Sequence, residues 1–177
     1  KLERIRLVLP FFAAHLSHCE VCPRKCGVDR GKGRTGFCRI DGLRIYTWFL
    51  QKGEEPPISG SRGSGTIFFS GCNLQCAFCQ NHRFSSQPAG NIYTIKECAT
   101  IMLELQEKGA HNINLVTPTH VLPYVVPALE QALENGLDIP IVYNSSGYDL
   151  PEVIEKLEGI VDVYMPDLKY IDPQTAN

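Results

Sequence analysis

Hydrophobic and polar positions follow two different patterns along the chain, and the change falls near residue 64. Residues 1–63 show little helical periodicity and include the stretch KGEEPPISGSRGSG, which is typical of an irregular connection. From Thr66 onward, short apolar runs alternate with longer amphipathic ones. We therefore predict a cysteine-rich N-terminal segment with a linker at 1–63 and an α/β unit at 64–177.

Four apolar runs in the second part predict β-strands: TIFFS, NINLV, IPIVY and IVDVYM. The stretch TIKECATIMLELQEKG between the first two carries a capping box, Thr94 with Glu97, followed by an apolar stripe. A second helix is expected over about 121–135, and Asp149 with Glu152 predicts the cap of a third. This alternation predicts parallel strands in an α/β fold, either a crossover barrel or an open sheet.

The carboxyl ends of such strands meet at one edge of the sheet, where sites gather in these folds. The segments that follow the four runs are GCNLQCAFCQN, TPTH, NSSGY and PDLKY. They are polar, glycine-rich or cysteine-bearing, so we expect the functional site at this edge.

Composition excludes some classes of function. The 177 residues are 44% hydrophobic with a net charge of -2, so no basic surface for nucleic acid is expected. The apolar run LVLPFFAAHL is too short for a membrane span and contains Pro10, which favours a helix or lid segment and no membrane partner. Lys1 is not an initiator Met and DPQTAN reads as a loop, so we expect part of a longer protein.

Seven of the eight cysteines stand in two tight groups at metal-ligand spacing, which favours a reducing cytoplasm over disulfides. The second group, Cys72, Cys76 and Cys79, has the spacing C-x3-C-x2-C. Three thiolates can hold three irons of a [4Fe-4S] cluster and leave the fourth iron open, which is typical of a catalytic centre. The alternatives are a zinc knuckle and a fortuitous cysteine loop.

The segment from Cys72 to Cys79 resembles the radical S-adenosylmethionine (SAM) signature, including the aromatic residue before the last cysteine. The resemblance implies a partial (βα) barrel with about four parallel strands and an open iron that binds SAM. It also implies reductive cleavage of SAM to a 5'-deoxyadenosyl radical, with reduced flavodoxin or ferredoxin as electron donor. Phe78 would lie beside the adenine, and Asn81 would shape the cluster loop.

The segments GCNLQCAFCQN, NSSGY and MPDLK further resemble the pyruvate formate-lyase activating enzymes and their poorly characterised iron–sulfur relatives. This resemblance implies hydrogen abstraction from a glycyl radical enzyme, and it places Asp167 and Lys169 at the catalytic site. A monovalent-cation site would include Asn144 and Ser145, where the family has Asp-Thr, together with Met165 and Asp167. The alternatives are a radical SAM enzyme that modifies another peptide or a small molecule, and a non-catalytic iron–sulfur or zinc protein.

The chain departs from the superfamily after its second predicted strand. Many radical SAM enzymes have a Gly-Gly-Glu segment there that binds the amino group of SAM, whereas this chain reads LVTPTHVLP. Thr117 and Thr119 offer hydroxyls but no carboxylate. We therefore expect the ammonium of SAM to use another acceptor.

The first cysteine group has four members, which predicts a closed metal site. The spacing is C-x2-C-x3-C-x11-C, and both zinc and an auxiliary iron–sulfur cluster take four thiolates. These ligands are Cys19, Cys22, Cys26 and Cys38. The eighth cysteine, Cys98, lies on an apolar helical stripe and is expected to be an inert core thiol. His82 and His120 are expected to be exposed or hydrogen-bonded imidazoles more readily than catalytic groups.

Overall fold

A computed structural model describes residues 1–169, which form one sheet flanked by helices, with the strand order β3-β1-β2-β4-β5-β6. The strands are β1 Arg44–Gln51, β2 Ser64–Phe69, β3 Asn91–Ile92, β4 Ile113–Val116, β5 Ile141–Ser145 and β6 Val163–Pro166. The helices are α1 Leu2–Ser17, α2 Pro56–Ser59, α3 His82–Ser85, α4 Ile95–Glu107, α5 Leu122–Glu134 and α6 Pro151–Leu157. The loop expected at DPQTAN lies outside the described residues.

The four predicted strands are confirmed as β2, β4, β5 and β6, which pair in parallel. Their register aligns Phe68, Val116, Asn144 and Met165 in one row across the sheet. Helices connect these strands, as a partial (βα) fold requires. The structure thus has the predicted α/β class, and the row of four side chains marks the carboxyl edge of the sheet.

Helix α4 begins where the capping box predicts. The Thr94 hydroxyl accepts a hydrogen bond from the Glu97 backbone N–H at 3.2 Å, and the Thr94 N–H donates to the Glu97 carboxylate at 2.7 Å. The buried face of the helix includes Cys98, Met102 and Leu105. A reciprocal cap of this kind satisfies two N–H groups that a helix start leaves free, so the local sequence fixes the boundary.

Residues 2–17 form a helix, which departs from the expectation of little helical periodicity over 1–63 and agrees with the helix favoured for the run LVLPFFAAHL. Helix α1 runs through Pro10, which lies on its exposed side, and it buries Ile5, Val8 and Phe12 at helical spacing. Helix α5 packs against both α1 and α4. Within residues 1–169, no helix combines the length and apolar character that a membrane crossing needs.

Strand β1 was not expected, although its sequence RIYTWFLQ is rich in aromatic and branched residues. It pairs antiparallel with β2 on one side and with β3 on the other. The N-terminal segment therefore contributes a strand to the same sheet as the α/β unit. Because β1 ends at Gln51 beside Ser64, the first residue of β2, the loop after β1 starts at the amino edge of the parallel strands.

The cap predicted for the third helix was wrong. Helix α6 begins at Pro151 with Leu150 at the N-cap position, and no side chain caps it. Asp149 instead accepts hydrogen bonds from three hydroxyl groups at its carboxylate. Hydrogen bonds from three buried hydroxyls stabilise the carboxylate more than one hydrogen bond from an exposed backbone N–H at the helix start would.

Candidate functional site

A cavity of about 860 Å³ opens at the carboxyl edge of the parallel strands. Its volume lies in the range of pockets that hold drug-sized ligands and cofactors. All four predicted strand-end segments contribute to its wall. The predicted site residues that line it are Cys72, Cys76, Phe78, Cys79, Asn81, Thr117, Asn144, Asp167 and Lys169.

The cysteine loop leaves β2 through Gly71, which has a positive φ of 79°. A Cβ atom at this position would stand 2.4 Å from the carbonyl oxygen of Cys38, so only glycine fits. The Leu74 N–H donates to the Cys72 sulfur at 3.3 Å, and the Ser85 hydroxyl donates to the Cys79 sulfur at 3.3 Å. Donors aimed at sulfur suit thiolates that ligate a metal.

All eight cysteines are free thiols. Metal-binding geometry is not preset among residues 1–169, where no three His, Cys, Asp or Glu side chains already surround one point. The donor set of three soft sulfurs on a cavity wall fits an iron–sulfur cluster with one open iron.

The cavity wall also carries Asp167 and Lys169, just past β6. Their side chains form an ion pair with each other. Partial burial opposes the charged form of Lys169, but the hydrogen bond and charge of Asp167 outweigh it and raise the pKa of the ammonium. The ammonium of Lys169 is therefore charged at neutral pH where it lines the cavity.

Thr117 and Asn144 lie on adjacent strand ends, and the Thr117 N–H donates to the Asn144 carbonyl at 2.7 Å. Thr117 has a φ of 50°, in the left-handed region that a β-branched residue rarely adopts. Strained backbone of this kind is held in place by its surroundings and occurs most often at functional sites. The strained residue stands where the sequence departs from the Gly-Gly-Glu pattern.

Thr119 and Ser145 are not brought to the cavity. The Thr119 hydroxyl donates to the Asp149 carboxylate at 2.6 Å, and the Ser145 hydroxyl donates to the same carboxylate at 2.7 Å. Alternate residues of a strand point to opposite faces, so Ser145 lies on the far side of β5 from Asn144. These hydrogen bonds to Asp149 therefore lie on the face of β5 that points away from the cavity.

Glu54 lines the cavity although it comes from the stretch predicted to be a linker. Its carboxylate accepts a hydrogen bond from the side-chain amide of Asn114 at 3.2 Å. Burial, with the charges of Glu55 and Asp167, raises the pKa of Glu54 against the opposing effect of Asn114. The signal in the sequence was Asn114, a polar residue inside the apolar run NINLV that needs a buried partner.

The four N-terminal cysteines lie apart from the described wall of this cavity. Cys19, Cys22 and Cys38 are buried, and Cys26 is half-buried. Burial raises the pKa of the Cys22 thiol to about 11, and the three other thiols of the group add to the effect. The four side chains therefore lie close enough for their charges to influence one another.

His120 is fully buried, and its Nε2–H donates to the Ser70 carbonyl at 2.8 Å. Burial lowers the pKa of the imidazole to about 4, and the charge of Arg30 contributes in the same direction. His120 is thus a neutral structural group next to the cysteine loop. His82, by contrast, is exposed.

We expect His120 to make the chain less stable in mild acid. Its pKa is lowered from 6.5 to about 4 on folding, so the unfolded chain binds the proton first and stability is lost as the pH falls through this range. The loss amounts to at most about 3 kcal/mol. Urea unfolding from pH 7 to 4 should show a flatter dependence for His120→Gln than for the wild type. His82→Gln is the exposed control, and parallel curves for all three proteins would contradict the assignment.

Comparison with known proteins agrees with this site. The family model of the radical SAM superfamily matches residues 66–177, and the chain belongs to that superfamily. Membership implies an enzyme that uses a [4Fe-4S] cluster and SAM. The chain is also 37% identical over 162 residues to an uncharacterized protein of Methanocaldococcus jannaschii. The match covers 86% of this chain and 46% of that relative, so the chain spans about half its length. No solved structure matches the chain significantly.

Proposed function

We propose that the chain is the cluster-bearing part of a radical SAM enzyme that abstracts hydrogen from a protein, as glycyl radical enzyme activases do. The observation that carries the proposal is the cavity, whose wall combines Cys72, Cys76 and Cys79 with the ion pair of Asp167 and Lys169. Such a site joins a cluster position to polar groups that can hold a substrate.

Cys72, Cys76 and Cys79 would hold the [4Fe-4S] cluster. When bound and reduced, the cluster supplies the electron that cleaves SAM to methionine and a 5'-deoxyadenosyl radical. Phe78 lines the cavity with 63% of its surface exposed, which suits stacking on the adenine. Asn81 stands at the N-cap of α3, just after the cluster loop, and its backbone carbonyl accepts hydrogen bonds from the N–H groups of Phe84 and Ser85.

The ammonium of SAM needs an acceptor because the Gly-Gly-Glu segment is missing. Thr117 offers a hydroxyl on the cavity wall, while Glu54 and Asp167 offer carboxylates. Asn144, Met165 and Asp167 are the cavity-lining members of the proposed monovalent-cation site. Thr119 and Ser145 would support these groups through Asp149 instead of touching the ligand.

A protein substrate and an electron donor complete the proposal. Reduced flavodoxin or ferredoxin would reduce the cluster, which also favours the reducing cytoplasm as its compartment. The proposal includes a second metal, zinc or an auxiliary iron–sulfur cluster, at the four N-terminal cysteines. The second candidate function is modification of another peptide or a small molecule by the same chemistry.

The test is an anaerobic assay of the chain reconstituted with iron and sulfide, reduced by dithionite and supplied with SAM. We expect 5'-deoxyadenosine and methionine in equal amounts. A glycyl radical enzyme added to the mixture should then show a protein radical by electron paramagnetic resonance. SAM cleavage without that radical favours the second candidate, and a loaded cluster without any SAM cleavage contradicts both.

A further inference from the structure

A buried cation stands against the N-terminal cysteines. The guanidinium of Arg30, which is only 4% exposed, places Nη2 at 3.2 Å from the Cys19 sulfur and 3.6 Å from the Cys38 sulfur. Its Nη1 donates to the carbonyl of His120 at 2.7 Å, and its Nε has no hydrogen-bond partner. Among the described residues, Arg30 forms no ion pair with a carboxylate.

A buried charge without a counter-charge is costly, because the interior solvates it poorly. Neutral thiols at Cys19 and Cys38 do not offset the charge of Arg30, whereas thiolates do. Thiolates buried this deeply need a metal to stabilise them, since the same burial penalises their negative charge. The position of Arg30 therefore indicates that these sulfurs are thiolates bound to metal in the functional protein.

Other residues of the N-terminal segment contact a third sulfur of this cysteine group. The Phe37 N–H donates to the Cys26 sulfur at 3.3 Å. A Cβ atom at Gly36 would stand 2.9 Å from that sulfur, so the glycine leaves room for it. Hydrogen bonds from N–H groups thus reach three of the four sulfurs, an arrangement that is common around four-thiolate metal centres.

The N-terminal segment also forms hydrogen bonds with residues 71–75, which belong to the loop of the second cysteine group. Arg24, between Cys22 and Cys26 in sequence, donates from Nε to the carbonyl of Asn73 at 2.9 Å. Its guanidinium carbon lies 3.7 Å from the centre of the Phe37 ring, a cation–π distance. The Gln75 side-chain amide donates to the Phe37 carbonyl at 2.6 Å.

We propose that Cys19, Cys22, Cys26 and Cys38 form a four-thiolate metal centre with Arg30 as its counter-charge, and that this centre holds the radical SAM loop in place. Metal at Cys22 and Cys26 would fix the backbone on both sides of Arg24, and Arg24 would fix the carbonyl of Asn73. The role of that loop rests on the proposed function, but metal binding is tested without SAM or turnover.

The first experiment uses the chain with Cys72, Cys76 and Cys79 all replaced by Ala, so that only the N-terminal group can bind metal. Elemental analysis after anaerobic loading with Zn²⁺, or with iron and sulfide, should find one zinc or about four irons per chain. Either metal supports the centre and identifies it. Adding Cys26→Ser should lower the content, whereas adding Cys98→Ala should not. A folded protein that retains neither metal overturns the proposal.

The second experiment measures amide hydrogen exchange in the same protein, loaded with metal and stripped by a chelator. Metal should slow exchange at residues 73–75 about tenfold, the effect of one retained hydrogen bond to a charged group. Arg24→Gln should remove most of this difference while the metal content stays the same. The amides of α4 serve as the internal control. Equal exchange at 73–75 in the loaded and stripped proteins overturns the link to the loop, and it leaves the proposed function standing.

Discussion

Replacement of Cys72, Cys76 and Cys79 together by Ala is expected to abolish SAM cleavage and to remove one oxygen-sensitive [4Fe-4S] cluster from the spectrum. These sulfurs face the cavity, and no other cysteine of the chain lines the part that the structure describes. Ala removes each sulfur ligand without changing the backbone of the loop. The loss of SAM cleavage should therefore come from the missing cluster and not from unfolding. We expect 5'-deoxyadenosine to fall to the level without enzyme.

The matched control for this prediction is Cys98→Ala. Cys98 is fully buried on the core face of α4 and does not line the cavity, so it is not placed to ligate the cluster. The control should keep its cluster and its SAM cleavage. If the triple variant still forms 5'-deoxyadenosine, the cluster lies elsewhere and the assignment of the cavity is wrong.

Asp167→Asn and Lys169→Met are each expected to lower turnover at least tenfold while the cluster content stays normal. A tenfold loss corresponds to about 1.4 kcal/mol of transition-state stabilisation. The physical reason is that each change leaves one partner of the ion pair uncompensated where the cavity holds SAM or substrate. The measurement is the rate of 5'-deoxyadenosine formation with the iron content determined in parallel.

An exposed ion pair without a role in the site would contribute only about 0–1 kcal/mol and would be replaceable at little cost. The exposed pair of Glu104 and Lys108 on α4 provides that comparison. Lys108→Met should leave both rate and cluster unchanged. Unchanged kinetics in both Asp167→Asn and Lys169→Met would show that these two residues form only a surface ion pair.

The features that could be predicted from the sequence are those whose determinants are close together along the chain. The three cysteines of the second group stand within one loop, and Thr94 and Glu97 cap α4 from within one turn. The four mostly apolar runs became the four parallel strands. β2, β4 and β5 are buried along most of their length, as strands covered on both faces are, whereas β6 lies at the sheet edge and is partly exposed. Strand β1 was not predicted because its polar residues do not follow the strict alternation of apolar and polar positions that indicates a strand.

Asp149 shows how a local rule fails when distant residues compete for the same side chain. Asp149 with Glu152 predicted a helix cap, yet the Asp149 carboxylate accepts hydrogen bonds from Thr119, Tyr143 and Ser145. Thr119 lies on a different loop, so no pattern around Asp149 reveals it. The stronger, buried set of donors decided the outcome.

The sequence by itself determined the α/β class, the strand ends that form the cavity and the three thiols that mark a radical SAM enzyme. Only the tertiary structure decided that Arg30 faces Cys19 and Cys38, that Glu54 reaches Asn114 and that Arg24 holds the loop at Asn73. Periodicity, caps and ligand spacing act over a few residues, so they can be read along the chain. Hydrogen bonds and charge pairs between distant segments depend on which loops the sheet brings to the same edge, and that order is set by strand pairing across the whole fold.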